Sequence, residues 1–99
     1  MSPAYLLAEA IVSALPVGES FEHLAQAAIA QYGGRYCARG GRSEVLEGRW
    51  SKPEYLAIVE FDSLEHAKKF YYSPEYQAAR AANKNAAEMN ILVVEGLPI

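Results

Sequence analysis

The chain has 99 residues and a mass of 10.9 kDa. Folding should leave roughly 5,600 Å² exposed out of about 15,800 Å², which allows one domain with one modest core. Apolar residues at 52% and charged residues at 21% exclude a disordered or collagen-like chain, and a net charge of -3 argues against nucleic acid as a partner, since phosphate binding needs a basic face.

Ala4 to Val12 reads as a strand that is apolar on nearly every residue, so it is expected to be covered on both faces. Pro16-Val17-Gly18 is a turn signal. Phe21, Leu24, Ala25, Ala28, Ile29 and Tyr32 recur at helical spacing, and Gly33-Gly34 ends the helix. Arg35 to Arg39 is short and strand-like, broken by Gly40-Gly41 as a bulge or hairpin tip. Val45 and Leu46 are expected to be extended, and Trp50-Ser51-Lys52-Pro53 to form a loop.

Tyr55 to Phe61 is the clearest strand. Ser63 can cap the next helix, whose apolar stripe is Leu64, Ala67, Phe70 and Tyr71. Ser73-Pro74 restarts a helix, with Ser73 as N-cap and Pro74 in the first helical position, and this segment is expected to run to about Ala87. Ile91 to Glu95 is the last strand.

The order is β-α-β-β-α-β, a ferredoxin-like α+β domain spanning residues 1–99, with a four-stranded antiparallel sheet and helices on one face. If Ala8, Ala38, Val59 and Val94 point at the helices, then Leu7, Ile11, Leu56, Ile58, Ile91 and Val93 occupy the other face. Six aliphatic side chains there are too large an apolar patch for a monomer. The expected remedy is a homodimer that pairs two sheets.

Several segments carry a family resemblance. They are Tyr32-Gly33-Gly34-Arg35-Tyr36, Ala38-Arg39-Gly40-Gly41, Glu44-Val45-Leu46-Glu47-Gly48, Glu60-Phe61-Asp62-Ser63, Phe70 through Gln77, and Val94-Glu95-Gly96-Leu97. Together they resemble the bacterial family known as domain of unknown function 1330. The resemblance implies the dimeric α/β-barrel superfamily, in which two sheets close around a shared lumen. Relatives there include cofactor-free monooxygenases, haem-binding decomposition enzymes and lactone isomerases. Family members often carry arginine near position 83, where this chain has Asn83.

The lumen face is the expected site. Beside its aliphatics it should hold Tyr5, Glu9, Arg39, Glu60 and Glu95. Charges on an apolar buried face must be paired or hydrated. Glu9 or Glu60 with Arg39 can form a structural ion pair, or either carboxylate can act as a general base while Arg39 holds a substrate oxygen. Tyr5, Tyr72 and Tyr76 are the candidates to orient a substrate, since Tyr72 and Tyr76 share a face if one helix carries both. The alternative is that these tyrosines cap the helix junction or the dimer edge.

Cys37, between Arg35 and Arg39, is either a core thiol or a thiol activated by positive neighbours. Trp50 either crosses to a partner subunit or packs over its own sheet. His23 and His66 lie off their helix stripes, so neither a zinc cluster nor a lumen haem ligand is expected. The glycine pairs match no phosphate-binding motif, and no cofactor is expected.

A single cysteine and a start without lysine or arginine before Arg35 point to the cytoplasm, and no apolar run is long enough to enter a membrane as a helix. The functional expectation is a small organic ligand held in the barrel lumen, with or without cofactor-free monooxygenase-like or isomerase-like catalysis. The alternative is a non-catalytic accessory or sensing module that acts through its dimer surface.

Overall fold

The computed structural model describes residues 2–10, 19–50, 55–82 and 89–98. The elements are β1 (Ala4–Ala10), α1 (Glu19–Gln31), β2 (Arg35–Arg39), β3 (Tyr55–Phe61), α2 (Leu64–Tyr71), α3 (Pro74–Ala82) and β4 (Met89–Glu95). One antiparallel sheet runs in the order β2-β3-β1-β4, so the chain is a ferredoxin-like α+β domain. Its extents of 39 × 35 × 17 Å are those of a two-layer slab, one sheet under one layer of helices.

Each element follows from local chemistry. α1 gives way to Gly33 at φ 79°, a left-handed conformation that suits glycine. At Gly34 a side chain would strike Ile29 and Phe61 at 2.8 Å, so a bare backbone lets α1 close onto β3. Ser63 caps α2 by accepting the His66 backbone N–H at 3.1 Å. Ser73 caps α3 from a buried position: its hydroxyl donates to the Phe70 carbonyl at 2.7 Å and accepts the Tyr76 N–H at 3.1 Å. Ser73, with Pro74 after it, breaks the second helical stretch into α2 and α3. Tyr32 donates to Glu75 at 2.9 Å and ties the end of α1 to α3. That bond raises the Tyr32 pKa, while the backbone N–H of Glu75 and then the Tyr32 hydroxyl lower that of Glu75.

The core lies between sheet and helices. Ala4 and Leu6 of β1, Ala57, Val59 and Phe61 of β3, and Phe70 and Tyr76 of the helices are buried. Phe70 stacks against both Phe61 and Tyr76, with centroids 5.3 and 4.8 Å away.

Two strands differ from the sequence expectation. In β4, Val93 pairs with Leu6 and Ile91 with Ala8, so Ile91 and Val93 pack on the helix side, and Leu92 and Val94 lie on the open face. The run Ile91-Leu92-Val93-Val94 is apolar at both parities, so its alternation carries no information about sides. In β2 the register shifts between Tyr36 and Ala38. Tyr36 sits across Val59 and packs on the core, but Ala38 sits across Ile58 on the open face and Arg39 across Ala57 on the helix side. Cys37 is the extra residue, and it is exposed rather than a core thiol.

Residues 41–46, where Val45 and Leu46 are expected to be extended, form no strand, and Leu46 is 90% exposed. Ile11, Val12, the turn at Pro16-Val17-Gly18, Ser51 to Pro53, and Asn83 to Ala87 lie outside the described residues.

Candidate functional site

The open face of the sheet carries Leu7 of β1, Leu56 and Ile58 of β3, and Leu92 and Val94 of β4. Into this apolar field three strands also bring polar groups. Glu9 of β1 lies in one row with Leu56 and Asn90. Its two carboxylate oxygens are held separately: the Trp50 indole N–H donates to one at 3.2 Å, and the Asn90 amide donates to the other at 3.1 Å. Each oxygen keeps a further lone pair for a ligand. Beside this cluster is a cavity of about 190 Å³, walled by Leu7, Leu56, Leu92 and the Trp50 ring. Trp50 thus packs over its own sheet.

Tyr5 and Glu60 face each other across β1 and β3 at the far end of the same face. Glu60 is paired with Arg35 at 3.3 Å, and Arg35 also reaches Asp62 at 3.6 Å. Glu9 and Glu60 stand four residues apart along the ladder, about 13 Å at the usual rise. Within one protomer they form two separate stations, not a carboxylate pair.

The remaining candidates are elsewhere. Arg39 is on the helix side: its guanidinium donates to Gln26 of α1 at 3.1 Å and lies 4.5 Å from the centroid of the Tyr36 ring. Regular alternation would put Arg35, Cys37 and Arg39 on one side, and the shift at Cys37 removes Arg39 from it. Glu95 pairs with Ala4 at the exposed strand end, on the helix side. Tyr72 and Tyr76 do not share a face, because the chain breaks between α2 and α3. Tyr72 is 70% exposed, and Tyr76 is buried. Burial pushes the Tyr76 hydroxyl up to about 12. His23 and His66 are both exposed, and His66 Nδ1 lies 2.8 Å from the Ser63 hydroxyl. Among the described residues no cluster of three His, Cys, Asp or Glu side chains converges, and no helix is long and apolar enough to cross a membrane.

Asn90 is the partner that sequence reasoning missed. A lone amide beside the apolar run of β4 was its signal, and only the pairing with β1 shows that it serves Glu9. Two further spaces lie on the helix side. One is an interior cavity of about 60 Å³ under Tyr36, Tyr55, Phe70 and Tyr76. The other is a wider groove of about 470 Å³ between α2 and β4.

Comparison with solved structures agrees with this fold. A protein of unknown function from Rhodopseudomonas palustris is similar over 99% of this chain and 85% of its own, with a TM-score of 0.70 and 16% identity. A protein from Bacteroides fragilis, described as dimeric and ferredoxin-like, is similar over 95% of each chain, with a TM-score of 0.56 and 20% identity. One from Thermobifida fusca, described in the same terms, covers 97% of this chain and 92% of its own, with a TM-score of 0.52 and 10% identity. No curated protein matches the chain. Residues 3–97 match the family described as Domain of unknown function (DUF1330), and the chain belongs to that family.

Proposed function

We propose that the chain forms a homodimer through the open face of its sheet and holds a small organic ligand in the lumen between the two sheets, beside Glu9. The observation that carries this reading is the Glu9 cluster. A carboxylate braced by Trp50 and Asn90 stands on an otherwise aliphatic surface, next to a cavity. Apolar walls with a few placed polar groups are the usual make-up of a ligand site.

Two facts support the dimer. Leu92 and Val94 are 61% and 49% exposed on the open face. The Bacteroides and Thermobifida proteins of the same fold are described as dimeric. A second sheet over the first would bury the aliphatics and close the cavity at Glu9.

In this reading Glu9 accepts a hydrogen bond or an acidic proton from the ligand, and Tyr5 and Glu60 contact its far end. Arg39 and Tyr76, facing the helices, act on the lumen only through packing, and Tyr72 lies outside it. The reaction would be of the cofactor-free kind that moves a proton, and the cytoplasm, where a lone exposed cysteine stays reduced, is the proposed compartment.

Native mass spectrometry of the freshly purified protein and of Leu92→Asp tests this. The expected result is a wild-type dimer carrying a small molecule, and a folded Leu92→Asp monomer without it. A wild-type monomer at micromolar concentration overturns the lumen site altogether. A bare dimer that also takes up no small organic acid or phenol on titration favours a non-catalytic accessory module instead.

A further inference from the structure

We propose that the groove between α2 and β4, on the side of the sheet away from the lumen, binds an amphiphilic molecule with an apolar body and one carboxylate. The floor of the groove is aliphatic, from Leu6 of β1 and Ile91 and Val93 of β4, and its wall is Leu64 and Ala67 of α2. At about 470 Å³ it lies within the range of roughly 300–1,000 Å³ typical of small-molecule sites.

The rim sets the chemistry. Lys68 is the one charged residue lining the groove. Among the described residues the only ion pairs are those of Arg35 with Glu60 and Asp62, so no carboxylate of these residues engages the Lys68 ammonium. Tyr72 stands beside it, and its ring is set edge-on against Tyr71 at 5.0 Å and 85°. A compact ammonium and a phenol hydroxyl are donors for a singly charged acid. A phosphate would be better served by an arginine fork or a nest of backbone N–H groups, and the rim has neither.

The groove also has depth. Leu6, Tyr71 and Ile91 line both it and the smaller cavity of about 60 Å³, so the two spaces are neighbours that share these three side chains. Tyr71 is half-buried, with its ring 5.6 Å from Tyr76. The methyl end of an aliphatic ligand would point past Tyr71 toward this cavity while its carboxylate stays at Lys68. The site is independent of the lumen, since its polar groups lie on the opposite side of the sheet from Glu9.

Octanoate and octanamide are suitable probes, with binding followed by amide chemical shifts of the intact protein. Octanoate should move the resonances of Leu64, Lys68, Tyr71 and Val93 and bind about two- to fivefold more tightly than octanamide, the gain expected of one solvent-exposed ion pair. In Lys68→Met the two probes should bind equally, and in Val93→Phe, which fills the groove, neither should bind. Equal affinities for the two probes in the wild type, an undiminished preference in Lys68→Met, or shifts confined to Leu7, Trp50 and Leu56 would each overturn the proposal. The last outcome would leave the lumen reading standing, and shifts at the groove of a protein that stays monomeric would do the reverse.

Discussion

The two faces of the sheet are built from the same kinds of residue and are finished differently. On the helix face, Val59 and Phe61 are almost wholly removed from water. One row away on the open face, Leu92 and Val94 keep about half their surface. Aliphatic residues on the first face are explained by the fold of one chain. On the second they sit where the proposed partner sheet would cover them and remove the cost of leaving them wet. Polar placement differs in the same sense. The helix face uses its polar groups to join elements, as Ser73 and the Tyr32–Glu75 bond do. On the open face the Glu9 cluster braces a carboxylate that joins no helix to the sheet.

If that contrast is right, substitutions on the two faces should separate stability from assembly. The largest effect on stability is expected at Phe61, where Phe61→Ala should cost about 3–5 kcal/mol in urea denaturation, because the site is ringed by Phe70 and the close backbone at Gly34. A value below 1 kcal/mol would mean that the helix layer is loosely packed and the contrast is false.

Next is Tyr76. Its pKa rises from 10.0 to about 12 on burial, so folding favours the protonated phenol. The contribution of Tyr76 to stability is therefore complete below pH 10 and is lost as pH climbs toward 12. Ultraviolet titration should show a late tyrosine ionisation as pH approaches 12, and Tyr76→Phe should remove that late step. Ser73→Ala should follow at about 1 kcal/mol, through the lost cap of α3. The smallest change in fold stability is expected for Leu92→Asp, within about 0.5 kcal/mol for the isolated subunit, although the same substitution should abolish the dimer. Loss of secondary structure in Leu92→Asp would show that the open face belongs to the core of one chain after all.

The strand and helix order was legible in the sequence because its signals are local. Ser63 and Ser73 precede apolar helical spacing, Gly33-Gly34 follows it, and Tyr55 to Phe61 is a short apolar run rich in aromatic and β-branched residues. The sides of the sheet were less legible. β4 is apolar at both parities, so only its hydrogen-bonded register with β1 decides that Ile91 faces the helices and Leu92 does not. Arg39 was assigned to the wrong side for a related reason: alternation assumes an unbroken ladder, and β2 has an offset. For the candidate site, Glu9, Glu60 and Tyr5 could be placed on one face from β1 and β3 alone. Asn90 and Trp50 could not be linked to Glu9, because each contact spans a distance in sequence that no local pattern encodes.

The offset at Cys37 has a consequence for how this family can vary. β2 is an edge strand with a neighbour on one side only, so a change in its length disturbs a single ladder. Deleting Cys37 would straighten the strand and leave Ala38 and Arg39 on their present sides. Inserting one residue just before Arg39 would do the opposite, carrying the guanidinium over to the row of Leu56, which is also the row of Glu9. A single added codon, with no substitution anywhere, would then deliver a positive charge to the open face, across Leu56 from that carboxylate. Chain length in one short strand is thus an inexpensive evolutionary lever on what chemistry the bare side of the sheet can offer.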